Sequence, residues 1–182
     1  MSEIMETLRR ISEFMDNSGI HYMLIGGYAL PFYGQIRTTI DLDIAVHVED
    51  DEFVDVCVRA RERGYEVHLD SPLNPYSIFL DEVTGYEIEV WRRPDGITWD
   101  QETIRRRREY RINGLKIFVV SPEDFIVTKL ARSDRLTQDE MDVKSVLERG
   151  DTSLDWEYLK DRCEKAGVWK LLQSINEAGN NE

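Results

Sequence analysis

An apolar run ending in two glycines, followed by Asp-x-Asp a short way downstream, restricts this chain more than any other feature. Tyr22-Met23-Leu24-Ile25 runs into Gly26-Gly27, and Arg37-Thr38-Thr39-Ile40 then leads to Asp41-Leu42-Asp43-Ile44. Four apolar residues bounded by glycine read as a short buried strand. Glycines between that strand and a helix let phosphate approach backbone N–H groups at the helix's positive end. Alternate side chains of a strand share a face, so Asp41 and Asp43 point together while Leu42 and Ile44 enter apolar packing. Hard oxygen ligands beside a phosphate cradle are what a magnesium-bound nucleoside triphosphate requires.

The rest of the chain supplies helices and strands in alternation. Ile4, Leu8, Ile11 and Met15 recur at helical spacing and predict a helix over 3–17, with Gly19 as a left-handed cap. Residues 28–33 read as a short helix bent by Pro31, 40–48 as the second strand, and 50–63 as a helix stopped by Gly64. The inward stripe of that last helix is expected at Phe53, Val54, Cys57, Val58 and Arg61. Strands are expected at 65–69, 76–80 and 86–91, the last two joined through Thr84-Gly85. Asp100 should cap a helix running to Arg108, and Asn113-Gly114 should join strands at 110–112 and 115–119. Beyond Val120 three cap patterns, at Ser121, Thr137 and Thr152, open helices, a fourth carries Val168, Leu171, Leu172 and Ile175, and the final residues should fray. The chain therefore reads as α/β (α+β), with a mixed sheet and flanking helices in 1–120 and a helical region in 121–182 packed on that core.

Composition narrows the partners. The net charge is −13, which argues against a general nucleic-acid coat, because such proteins carry broad basic surface. Arg105-Arg106-Arg107-Arg108, with Arg92 and Arg93 upstream, fits two readings equally: a local RNA contact, or a solvated face pairing with nearby acids. No apolar run approaches the roughly 18 residues of a membrane span, and the acidic start lacks a signal pattern, so a cytoplasmic protein is expected. Cys57 and Cys163 show neither pairing nor metal-ligand spacing and read as buried or half-buried thiols in a reducing compartment.

A second acidic strand completes the pattern. Glu87 and Glu89 share one face, opposed by Tyr86, Ile88 and Val90. If this strand neighbours the Asp41–Asp43 strand, up to four carboxylates meet, and like charges at that distance raise each other's pKa unless cations intervene. Two Mg2+ ions suit such a site, one activating a hydroxyl and one neutralising the leaving pyrophosphate. Arg37 fits equally a phosphate contact or a brace for the loop, and Lys129 fits a snorkelling side chain on a half-buried helix.

Gly26-Gly27, thirteen intervening residues (28–40) and Asp41-x-Asp43 resemble the signature of the DNA polymerase β-type nucleotidyltransferase superfamily. Ile88-Glu89-Val90 is similar to that family's third acid between hydrophobic residues, and Gly-Gly-Tyr-Ala … Arg-x-Thr-x-Asp-Leu-Asp resembles its minimal, AbiEii-type branch. The resemblance spans roughly residues 20–148 and implies a nucleotidyltransferase-like sheet and transfer of a nucleoside monophosphate from an NTP to an acceptor hydroxyl. It implies Asp41, Asp43 and Glu89 as catalytic, metal-binding acids, Gly26 and Gly27 as the triphosphate cradle, and Lys129 as a phosphate or hydroxyl partner. The cofactor implied is Mg2+, with Mn2+ as substitute. RNA ends such as tRNA, or protein hydroxyls, are the implied acceptors, and an antitoxin is the implied partner of a toxin-like enzyme.

Two departures stand out. Gly-Gly replaces the commoner Gly-Ser, removing a hydroxyl, and the third acid is Glu, which leaves Glu87 open as the ligand in place of Glu89. A haloacid-dehalogenase-type site needs four apolar residues before its Asp-x-Asp, where this chain has Arg37-Thr38-Thr39-Ile40. A glycosyltransferase leaves the Gly-Gly and the second acidic strand unexplained. The rival of another class is a silent nucleotide-binding or regulatory module on the same fold.

Overall fold

The computed structural model describes residues 2–68, 74–149 and 153–179, which divide into two compact units. The first holds Met1–Ile25, Ile40–Pro94 and Arg108–Val119; the second holds Gly26–Thr39, Asp95–Arg107 and Val120–Glu182.

In the first unit, α1 (Glu3–Asn17) buries Leu8, Ile11 and Met15 of the predicted stripe together with Phe14, while Ile4, the stripe's first member, is only half-buried in the first turn, and Gly19 takes φ +68° beyond the helix end. Strands β1 (His21–Leu24), β2 (Leu42–His47), β3 (Tyr65–His68), β4 (Tyr76–Asp81), β5 (Glu87–Trp91), β6 (Arg108–Ile112) and β7 (Leu115–Val119) form one sheet ordered β3-β4-β5-β2-β1-β7-β6. β2 pairs with β5 and β1 with β7 in parallel, and the other neighbours are antiparallel. Both hairpin signals hold: Gly85 turns β4 into β5 at φ +73°, and Asn113-Gly114 turns β6 into β7 with φ +50° and +84°. Leu69, expected to end β3, lies outside the described residues.

One face of the sheet is apolar. Leu42, Ile44 and Val46 of β2, Ile88 and Val90 of β5 and Phe79 of β4 are all fully buried there. Phe79 meets Phe53 of α3 (Asp50–Arg61) and Tyr65, and Tyr65 meets Phe14 of α1. Burial of side chains this large contributes about 1.5–3 kcal/mol each. The stripe of α3 differs from expectation: Phe53, Val56, Cys57 and Ala60 are buried, while Val54 and Val58 are 52% and 46% exposed. Arg61, expected on the inward stripe, is exposed and donates to the Val67 carbonyl of β3 at 3.2 Å. Asp81, fully buried, is held by Arg10 at 2.9 Å and by the Val83 N–H at 3.0 Å.

The second unit gathers α2 (Gly26–Ala29), a 3₁₀ turn (Leu30–Phe32), α4 (Gln101–Arg106), α5 (Pro122–Ala131), α6 (Thr137–Glu148), α7 (Trp156–Lys165) and α8 (Trp169–Gly179). Ser121 and Asp100 cap as expected, their side chains accepting from the Asp124 and Thr103 N–H groups. Thr137 does not cap α6. The boundary falls one residue earlier, where the Leu136 N–H donates to the Asp139 carboxylate. Asp155 caps α7; Thr152, the expected start, and the tail beyond Gly179 lie outside the described residues. The arginine run is divided, because α4 ends at Arg106 and β6 begins at Arg108.

Candidate active site

Parallel pairing of β2 with β5 sets Asp43 beside Glu89 and Ala45 beside Trp91. All four lie on the face opposite the apolar one, since they alternate with Leu42, Ile44, Ile88 and Val90. The Trp91 Nε1–H donates to Asp43 Oδ1 at 3.2 Å and to Glu89 Oε2 at 3.1 Å. Trp91 itself stacks on Tyr76, its partner in the β4–β5 register, with ring centroids 4.4 Å apart. A single N–H thus serves two carboxylates.

Burial is the main reason that the Asp43 carboxyl is pushed up to about 7, and Glu89 adds to it through a shared hydrogen bond and like charge. The Trp91 N–H pulls the other way, and the charge of Asp41 raises the value further.

Asp41 lies outside the paired part of β2, which starts at Leu42, and follows Ile40, which is 79% exposed. Asp41 lines a cleft of about 310 Å³ with Glu89, Glu87, Tyr86, Ile78, Gly85 and Ile40. Glu87 lies opposite Leu80 and is exposed, whereas Glu89 is half-buried opposite Ile78 on one side and Asp43 on the other. Among the described residues no three acid, histidine or cysteine side chains stand close enough to enclose a metal ion. The structure therefore gathers Asp43 and Glu89, and leaves Asp41 on the wall of the adjoining cleft.

The glycines belong to the second unit. Gly26 takes φ +63°, a conformation costly to any residue with a Cβ. At Gly27 a Cβ would stand 2.5 Å from Thr39 Oγ1, so no side chain fits without moving Thr39. The helix they open is one turn long, so it offers little of the dipole expected of a phosphate-binding helix. Ile25, the residue before them, donates its N–H to the Asp43 carbonyl at 3.0 Å.

Arg37 and Lys129 meet on one carboxylate. Arg37 grips Asp142 through Nε and an NH2 group at 2.9 and 3.0 Å, while Lys129 Nζ lies 2.9 Å from Asp139 and 3.0 Å from Asp142. Lys129 does not snorkel, being 5% exposed. Burial opposes ionisation of Asp142, yet the Arg37 and Gln138 hydrogen bonds and the Lys129 charge leave its pKa lowered. In the arginine run, Arg105 and Arg106 pair with Glu102, and Arg106 also reaches Asp155 at 2.7 Å. Arg92 and Arg93 both pair with Asp50.

Over residues 2–176 the sequence matches a family described as uncharacterised nucleotidyltransferases. The chain belongs to that family. Solved structures share the fold of this nucleotidyltransferase. An antigenic nucleotidyltransferase-like protein from Paracoccidioides brasiliensis is 20% identical with TM-score 0.58, the match covering 97% of this chain and 93% of that one. The lincomycin-bound lincosamide antibiotic adenylyltransferase LnuA is 16% identical with TM-score 0.53, over 80% of this chain and 95% of that one. ANT(2'')-Ia in complex with adenylyl-2''-tobramycin is 15% identical with TM-score 0.51, over 99% and 98%. No curated protein matches the chain in sequence.

Trp91 is the residue at this nucleotidyltransferase's acid pair that sequence reasoning passed over. Its signal was available: two positions after Glu89 on the same strand, it shares that residue's face. Tyr76 carried no such signal, since its place beside Trp91 depends on the β4–β5 register.

Proposed function

We propose that this nucleotidyltransferase moves a nucleoside monophosphate from a nucleoside triphosphate to an acceptor hydroxyl, using Mg2+ or, in its place, Mn2+. The observation that carries this reading is the pairing of Asp43 with Glu89 across β2 and β5, with Asp41 on the adjoining cleft. Two carboxylates sharing one N–H are under-compensated, and oxygen donors of this kind suit a hard divalent cation. Asp43 and Glu89, joined by Asp41, are the residues proposed to hold it. The cation would supply neutralisation of phosphate charge and a lowered pKa for the attacking hydroxyl. Glu89 is proposed over Glu87 because it is the one set beside Asp43.

The acceptor oxygen bonds to the α-phosphorus as the α–β bridging bond breaks, and pyrophosphate leaves. The hydroxyl proton passes to a carboxylate of the acid group and on to water. Gly26 and Gly27 are proposed to present bare backbone to the triphosphate. Arg37 and Lys129, each already engaged with Asp142, are proposed to hold the 26–39 segment on α6 rather than to touch phosphate.

For the acceptor, an RNA end such as tRNA is the less favoured choice, because Arg92, Arg93, Arg105 and Arg106 are each paired with an acid of the chain itself. A protein hydroxyl is the first reading, in keeping with an AbiEii-type toxin that an antitoxin restrains in the cytoplasm. A small hydroxylated molecule is the second, favoured by the likeness to proteins solved with lincomycin and adenylyl-2''-tobramycin. The test incubates the protein with Mg2+, each α-labelled NTP, and tRNA, cell protein or a panel of small polyols. Label should move to one acceptor and disappear with Asp43→Ala, whose fold is checked by circular dichroism. Nucleotide binding by calorimetry with no labelled product from any acceptor would favour the silent module instead.

A further inference from the structure

Resting on the reading of Asp43 and Glu89 as cation ligands, we propose that Trp91 is a positioning residue, whose indole N–H holds that pair convergent before a cation arrives. Two like charges on neighbouring strands repel, and both side chains have rotamers that take them apart. The bond from Trp91 Nε1, 3.2 Å from Asp43 Oδ1 and 3.1 Å from Glu89 Oε2, opposes that separation. The donor engages one oxygen of each carboxylate. The indole contacts neither Asp43 Oδ2 nor Glu89 Oε1, so it need not be displaced for a cation to reach those oxygens.

The ring is itself fixed. Tyr76 stacks on it at 4.4 Å with a 29° interplanar angle, and Ala45, its β2 neighbour in register, carries no bulk to push it away. An indole also suits this task better than a charged donor. A lysine or arginine at position 91 would bind the same carboxylates more strongly and repel the incoming cation, whereas a neutral N–H orients without competing in charge. Outer-shell donors to metal ligands commonly carry 10- to 100-fold in metal affinity, and that range is expected here.

The experiment measures Mn2+ binding to the nucleotide-free protein by electron paramagnetic resonance, comparing wild type with Trp91→Phe and Asp43→Asn. Trp91→Phe keeps one aromatic ring for Tyr76 and removes the donor together with the second ring of the indole; melting in EDTA verifies that it folds. A second variant, with benzothienylalanine placed at 91 by stop-codon suppression, keeps the full indole shape without the N–H. Both should bind Mn2+ about 10- to 100-fold more weakly, and in turnover assays the apparent KM for Mg2+ should rise more than kcat falls. Unchanged Mn2+ affinity in the benzothienyl variant, with affinity lost in Asp43→Asn, would overturn the role of Trp91 alone. Full Mn2+ binding by Asp43→Asn would instead overturn the ligand assignment on which this rests.

Discussion

Replacing Asp43 by Asn should make the metal-free protein more stable while ending its activity. Asp43 is pushed up to about 7 by burial first and by Glu89 second. An unfolded-chain Asp titrates near 3.9, so the folded state pays roughly three pK units, about 4 kcal/mol, once the pH lies above both values. The sign follows from proton counting: between about pH 4 and 7 the unfolded chain has released this proton and the folded one retains it, so stability falls as pH rises through that window. Asp43 is only half-buried, and solvent screening reduces the usable figure to about 2 kcal/mol. For a chain of this size that corresponds to a melting temperature about 4–8 °C higher for Asp43→Asn at pH 8 in EDTA. Differential scanning calorimetry at pH 5 and pH 8 should show the gap shrinking at the lower pH, where wild-type Asp43 is largely protonated. Mg2+ should raise the wild-type transition and leave the variant's in place. A variant no more stable than wild type at pH 8, or equal stabilisation of both by Mg2+, would refute the account of a strained anionic pair.

Asp124, buried under α7, is pushed up to about 6 mainly by burial, against hydrogen bonds from Tyr158 and Ser121. Its contribution to stability should fall by roughly 2–3 kcal/mol between about pH 4 and 6, so Asp124→Asn should flatten urea midpoints measured across that range. Lys129→Met leaves Asp139 and Asp142 buried with less positive charge, and should cost about 3 kcal/mol by urea denaturation, since Arg37 still holds Asp142; a loss under 1 kcal/mol would contradict the pairing. Gly27→Ala must displace Thr39, and is expected to cost about 1–3 kcal/mol in the same assay.

Most of the fold was legible because local signals and tertiary packing agreed. Apolar spacing marked α1, the Asn113-Gly114 pair marked the β6–β7 hairpin, and the order Ser121-Pro122-Glu123-Asp124 marked the start of α5. The failures came where tertiary contacts overrode periodicity. On α3 the apolar Val54 and Val58 fit a helical stripe as well as Val56 and Ala60 do, and the packing against β3 and Phe79 chose the latter pair. The arginine run looked like one feature in sequence, yet α4 ends inside it, so Arg106 and Arg108 lie on different elements. Local composition carries no sign of such a break. The short helix after the glycines and its distortion at Pro31 were legible, since Leu30–Phe32 is a 3₁₀ turn containing that proline, but its start was not: α2 begins at Gly26, inside the glycine pair, rather than at residue 28.

The acid pair was legible only up to its partner strand. Period-two alternation separates Asp43 and Glu89 from the apolar face, but only the β2–β5 register says that Glu89, and not Glu87, stands beside Asp43. That register also turns the pair into an argument about ligands. The opposite face of the same two strands, with Leu42, Ile44, Ile88 and Val90 fully buried, supplies the apolar packing that holds them. Asp43 and Glu89 add nothing to it and carry an electrostatic cost that a neutral pair would avoid. Trp91, stacked and aimed at both carboxylates, offsets part of that cost with one neutral hydrogen bond, far less than two anions need. On the proposed function a divalent cation would supply the remainder, and for that reason the free protein should gain more stability from Mg2+ at pH 8 than at pH 5, where a proton already occupies the pair.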